Sequence, residues 1–310
     1  FAEKIESITN DFANAAVKFA DKIVNFINSG FNNTDIYKTL SKQYTIPVKE
    51  SSKLVIRTQN IAATTHKTDK PEVIMDLKLK SLFENTNIDD LITLKDENGT
   101  IYFCTNFHVR TWGTLEIHIP ENIKAIDIET SNSKCSLNNF VGDALNCTTS
   151  NGKIEITSCR AKSFVARTNN SKIKATDIKS HEAEIMTSNS NIEFDNSCFD
   201  NLKSFTSNGS IYLNNFDSVE EVEGKYILQT SNGKITINLR KNMSAGCKIK
   251  ASTSLGNINI SKLDSSYLVD RDKGNVKAEA IIQSNNYDMT NKRIFIEAST
   301  SNSSIYINGD

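Results

Sequence analysis

Apolar and polar positions alternate with period two along much of this chain, and from about residue 126 the alternation recurs in a fixed frame. Thr130, Thr149, Thr168, Thr187 and Thr206 follow one another at 19-residue intervals, heading the segments TSNSKCSL, TSNGKIEI, TNNSKIKA, TSNSNIEF and TSNGSIYL. Thr230, Thr253 and Thr300 head three more copies at looser spacing. Five residues after each threonine the chain is apolar (Cys135, Ile154, Ile173, Ile192, Ile211), and so it is two residues further on (Leu137, Ile156, Ala175, Phe194, Leu213). A second such series precedes the threonine, as in Ile126 and Ile128 or Leu145 and Cys147. Period two with one apolar face is a strand half-buried on a core. Two strands repeated at a constant interval predict a stack of coils, because each unit is too small to bury its own apolar face. Propeller blades need a period of about 40 residues or more. The reading is therefore all-β: a parallel β-solenoid with coils of about 19 residues. The 47 residues from Thr253 to Thr300 leave room for two coils, or for one coil with an insertion.

Ser-Asn-Gly or Ser-Asn-Ser separates the two strands in most coils, with Asn-Asn-Ser after Thr168 and Ser-Leu-Gly after Thr253. Asn and Gly tolerate a left-handed backbone, so a sharp left-handed turn is expected at this corner. Asn132, Asn151, Asn170, Asn189, Asn208, Asn232 and Asn302 should stack there as an amide ladder. The repeat threonines should form a hydroxyl ladder beside it.

The first third lacks the repeat. Residues 1–45 read as a helical segment: Ile5, Ile8, Phe12, Ala16, Phe19, Ile23 and Phe26 make an amphipathic stripe over 3–28, and Thr34-Asp35 opens a second short helix reaching Tyr44. The stripe suits a cap on the solenoid, a helical pair between copies, or a membrane surface. Residues 46–310 form the solenoid domain. Within it, 46–120 hold irregular lead-in strands (Lys53–Thr58, Glu72–Lys78, Leu91–Leu94, Ile101–Phe103, Leu115–Ile119), and regular coils occupy 121–310 after Pro120.

Charge changes the picture little. With 36 basic and 37 acidic residues, no basic excess points to nucleic acid. No apolar run is long enough to span a bilayer. The chain starts at Phe1, which suggests that a signal or anchor precedes it. Of six cysteines, Cys135, Cys147 and Cys159 fall in apolar columns and Cys198 lies close to one, as buried thiols do; one or more disulfides are the alternative.

Candidate chemistry is sparse. His66, His108, His118 and His181 are dispersed, and no cysteine pair has metal-ligand spacing, so neither a metal nor a cofactor is expected. Asp270–Asn275 faintly resembles the start of a calcium loop but lacks its later ligand, and reads as a polar loop tip. Lys134, Lys153, Lys172 and Lys234 share one outward column, a candidate surface for an anionic polymer. Glu155 and Glu193 lie two coils apart, a separation of roughly 10 Å near that of an inverting glycosidase pair. Lys174 stands between them, which favours a salt-bridged face.

The TSNGKIEI, TSNGSIYL and TSNGKITI segments, with Ile-Pro-x-x-Ile at 119–123, resemble the bacterial putative adhesin family, a domain of unknown function; the resemblance covers about 46–310. It implies a β-solenoid, a bacterial cell-envelope setting, no cofactor and no catalytic residues. The expected function is a non-catalytic, adhesin-like module whose partner is a cell-wall polymer, a surface glycan, a protein or a second copy. A polysaccharide-active β-helix enzyme and a polymer-forming or regulatory solenoid are the alternatives. The compartment expected is the envelope or the exterior, with the cytoplasm left open.

Overall fold

A computed structural model describes residues 37–48, 52–81, 87–106, 111–219, 223–240, 243, 245–273 and 277–309. The amphipathic pattern over 3–28 lies outside them, as does His108. The described residues form two long sheets, A with 12 strands and B with 13, facing each other across one core. Thirteen strands at the parallel spacing extend roughly 60 Å.

One coil shows how sequence makes this shape. Val141–Thr149 runs in sheet B, residues 150–153 turn, Ile154–Thr157 runs in sheet A, and the chain turns again into Arg160–Thr168 of sheet B. Segments 19 apart pair in parallel, in register: Cys135, Ile154, Ile173, Ile192 and Ile211 are successive partners, and all are fully buried. The apolar columns are therefore one continuous interior.

The two corners differ from expectation in an informative way. At the corner that leaves sheet A the left-handed residues are Asn139, Ser158, Asp177, Asn196, Asn215 and Lys262, with φ of 48–57°. None of the TSN asparagines is left-handed. What the TSN corner supplies is the amide ladder: Asn132 donates to Asn60 at 2.9 Å, Asn151 to Asn132 at 2.7 Å, and so on through Asn302 to Asn232 at 2.6 Å. The threonines do line up, but their hydroxyls bond to backbone rather than to one another. Thr187 donates to Ser171 O at 3.1 Å, Thr206 to Ser190 O at 3.1 Å and Thr230 to Gly209 O at 2.9 Å. Each buried hydroxyl thus ties its coil to the one before and satisfies a corner carbonyl.

The spacing lengthens to 24 residues between Thr206 and Thr230. There Tyr226, fully buried, packs against Phe199 and Phe216. Its hydroxyl donates toward Asp217 O (2.6 Å) and Phe199 O (3.0 Å) and accepts from Phe199 N (3.1 Å). Burial holds that phenol well above its ordinary pKa.

Stacking order departs from chain order at both ends. The Lys53–Thr58 and Ile61–Lys67 strands lie between the Ala125–Thr130/Cys135–Asn138 coil and the later Thr100–Thr105/Thr111–Ile119 pair. At the other end the last coil, Arg293–Thr300 and Ile305–Asn308, is inserted between Glu223–Thr230/Ile235–Asn238 and Gly246–Thr253/Ile258–Ser261. Among the described residues the stretch from 262 to 292 thus holds no stacked coil. It forms a hairpin, Tyr267–Lys273 with Ala278–Ser284, antiparallel on the end of sheet B. Asp270–Lys273, expected at a loop tip, belongs to that strand.

Antiparallel strands also cover the N-terminal end: Lys38–Pro47 on Glu72–Ser81 on Thr111–Ile119 in sheet A, and Ile92–Glu97 on Thr100–Thr105 in sheet B. The second helix expected up to Tyr44 is therefore a strand from Lys38. Its Leu40, Tyr44 and Ile46 turn partly toward the core, and ten-residue antiparallel pairing with Glu72–Ser81 overrides any local helix signal.

Cys135 and Cys147 pair as a disulfide between the two sheets, the alternative outcome for core cysteines; Cys104, Cys159, Cys198 and Cys247 are free. Burial pushes the Cys159 thiol up to about 11 and Cys247 to about 12, so neither supplies a thiolate near neutral pH.

Candidate functional site

The outer face of sheet A is a wall, three outward side chains wide in each repeat coil. Its N-terminal half carries charge. The expected lysine column is there, and its charges are engaged. Lys134 and Lys153 both bind the Glu155 carboxylate, and Lys172 binds Glu193. Lys174 stands between the two glutamates in register. Lys234 lies farther along, its Nζ 5.8 Å from the centre of the Tyr306 ring. The structure therefore distributes the four predicted lysines among carboxylates and a ring instead of gathering free cations. Hydrogen bonds from Lys134 and Lys153 hold Glu155 down to about 2 from 4.5.

A depressed carboxylate stabilises the fold above its unfolded pKa and loses that contribution as pH falls through the folded value. Glu155→Gln should accordingly lower stability at pH 7 by up to about 1 kcal/mol. That deficit should shrink between pH 4.5 and about 2. Urea midpoints for both proteins across this range provide the check, and a pH-independent gap contradicts the assignment.

The C-terminal half of the same wall has a different character. Tyr212, Thr236 and Tyr306 are successive partners in the central column. Beside them runs a second amide ladder: Asn238 donates to Asn214 at 2.6 Å, Asn308 to Asn238 at 2.8 Å, and the Ser261 hydroxyl to Asn308 at 2.9 Å. On the other side, Asn191, Ser210 and Ser304 use side-chain oxygens to accept the backbone N–H of Ser210, Lys234 and Asn257 in adjacent coils, at 2.8, 3.2 and 3.2 Å. From Ser210 to Ser261, Lys234 is the one formal charge in the three outward columns.

Stacking also gathers residues that look dispersed in sequence. His66 and His118 are register partners with rings 5.2 Å apart; His66 lies 2.7 Å from Glu116, and His118 3.9 Å from Asp76. The signal for this was Thr58-Gln-Asn60, a copy of the repeat corner that places the 61–67 strand in the stack. Thr58 partners Thr130, and Asn60 begins the amide ladder. No group of three or more His, Cys, Asp or Glu among the described residues is arranged to hold a metal ion. On sheet B, residues 143, 162, 181 and 200 drop out of the ladder pairs while the 19-residue register continues on either side; Asp143 pairs with Lys162 at 2.8 Å and His181 with Asp200 at 2.6 Å.

The Toastrack DUF4097 family model matches residues 27–297. A solved structure of a putative adhesin from Bacteroides fragilis is similar at 12% identity, covering 88% of this chain and 97% of its own, with a TM-score of 0.44. A putative adhesin from Parabacteroides distasonis is similar at 8% identity, with the same coverages and a TM-score of 0.46. A putative lipid binding protein from the same species is similar at 12% identity, covering 87% and 96%, with a TM-score of 0.41. No curated protein matches the chain.

Proposed function

The chain belongs to the Toastrack DUF4097 family, and from that premise we propose that it is a non-catalytic, adhesin-like binding module of the bacterial cell envelope, with the outer wall of sheet A as its working surface. One observation carries the reading. The side chains of that wall are fixed by their neighbours in adjacent coils, through lysine–carboxylate pairs in one half and amide and hydroxyl bonds in the other. Such a surface loses little rotamer freedom when it meets an extended partner. The same pairing argues against an acid–base pair at Glu155 and Glu193. A general acid needs a raised pKa, whereas Glu155 is pushed down. The partner class is an envelope polymer or surface glycan.

A glycan array run beside hydrolase and lyase assays tests this. The expected outcome is retention of at least one polymer without turnover. Turnover that disappears in Glu155→Gln or Glu193→Gln replaces the reading with an enzyme.

A further inference from the structure

We infer that the C-terminal half of the sheet A wall, centred on Tyr212, Thr236 and Tyr306, is a binding site for an uncharged oligosaccharide. This names the ligand class within the binding-module reading and rests on it.

The chemistry of the surface selects the ligand. An anionic polymer calls for a cluster of cations, yet Lys134, Lys153 and Lys172 are paired with carboxylates, and the C-terminal half of the wall carries a single cation, Lys234, whose Nζ stands over the Tyr306 ring and has to swing aside for a sugar ring to pack there. A protein partner is anchored by a fully buried interface core that is more apolar than the surrounding surface. Here the outward apolar surface comes down to two partly buried tyrosines among amides and hydroxyls. An uncharged saccharide matches what remains. Each pyranose has a C–H face that packs on an aromatic ring and a rim of hydroxyls that both donate and accept.

Geometry supports the match. Tyr212 and Tyr306 flank Thr236, so they are two coils apart, roughly 10 Å at the parallel spacing and on the scale of two linked sugar rings. Alongside, Asn238 and Asn308 each spend one N–H on the neighbouring amide. An amide has two N–H donors and two acceptor lone pairs, so each ladder member keeps a donor and an acceptor for a ligand. These repeat at about 4.8 Å along the stack axis. The ladder holds the amide planes in place before any ligand arrives, which reduces the ordering cost of binding. The sugar chain would run across the strands, along the stack, with alternate rings on Tyr212 and Tyr306.

The test uses the full chain, with cellohexaose and mannohexaose as uncharged probes and oligogalacturonate as an anionic one, by calorimetric titration. An uncharged hexasaccharide is expected to bind. Tyr212→Ala and Tyr306→Ala should each weaken binding about tenfold or more. Tyr212→Phe and Tyr306→Phe, which keep the ring, should stay within about threefold of the parent. Both tyrosines face outward between buried isoleucines and leucines, so the circular dichroism and melting of the variants should match the parent. No binding of either neutral probe, or binding unaffected by both alanine variants, overturns the inference. Binding of oligogalacturonate alone, lost in Lys153→Met or Lys172→Met, overturns it too but leaves the binding module standing. Cleavage of a probe overturns both.

Discussion

Removing residues 291–310 should cost this protein far more than trimming the end of a stack. In a solenoid whose chain order is its stacking order, loss of the last coil exposes one new face and leaves the others in contact. Here the last coil lies one place in from the end. Arg293–Thr300 pairs with Glu223–Thr230 on one side and with Gly246–Thr253 on the other, and Ile305–Asn308 does the same in sheet A. Its Ile294, Ile296, Ile305 and Ile307 are fully buried. Four such side chains are worth about 6–12 kcal/mol of burial, comparable to the whole stability of a domain.

The shortened chain has one way to recover. The 246–261 coil could close up directly on 223–238, since the threonine columns are compatible. Against this, Leu239 and Ala245 are buried on the crossover that passes the inserted coil, and the backbone N–H of Leu239 bonds to Asn308 O at 2.8 Å. Hydrogen exchange and limited proteolysis distinguish the outcomes. Residues 246–284 should lose protection while the 125–214 coils keep theirs. Full protection of 246–284 in the shortened chain would show that the stack closes up and that the inserted coil is dispensable.

The same insertion explains what could and could not be read from the sequence. Within the regular coils, the 19-residue period and the apolar columns specify pairing, register and interior, because each coil meets its sequence neighbour. Ile154, Ile173 and Ile192 are in register as that period requires. Stacking order at the ends carries no such signal. Thr300 heads a good copy of the motif, and a good copy fits equally well after Thr230 or after Thr253. The strand Lys38–Pro47 was hidden for a related reason. It is an edge strand, with Leu40, Tyr44 and Ile46 only partly buried, so its period-two pattern is weak. The lysine column was legible as a column. The pairing of Lys134, Lys153 and Lys172 with Glu155 and Glu193 depends on rotamers that residue spacing does not reveal.

Gly233→Ala, with Gly209→Ala, should be among the most damaging single substitutions at the repeat corners. A Cβ at Gly233 would stand 1.7 Å from Gly209 O, and one at Gly209 would stand 1.6 Å from Ser190 O. Neither glycine has a left-handed backbone, so the requirement is close approach between coils and not turn geometry. That approach is built from a relay. The Gly233 N–H donates to Thr230 Oγ1 at 3.2 Å, and Thr230 Oγ1 donates to Gly209 O at 2.9 Å. Gly209 repeats the first step with Thr206, and Gly152 and Gly256 with Thr149 and Thr253. A methyl group must push the corner off the carbonyl beneath it. Both relay bonds then stretch inside a site from which water is largely excluded, Thr230 being only 2% exposed. Two buried groups left short of partners cost about 1–3 kcal/mol each, so a loss of about 2–6 kcal/mol is expected. Serine occupies the same corner position at Ser133, Ser171, Ser190 and Ser303, so a second path exists for this corner. Ser303→Ala, which adds no atom near the backbone below, is the matched control and should change stability by less than about 1 kcal/mol. Chemical denaturation of the two variants decides the matter. Equal, small effects would mean that Gly233 can adopt the serine path freely and that close approach does not govern the choice of residue there.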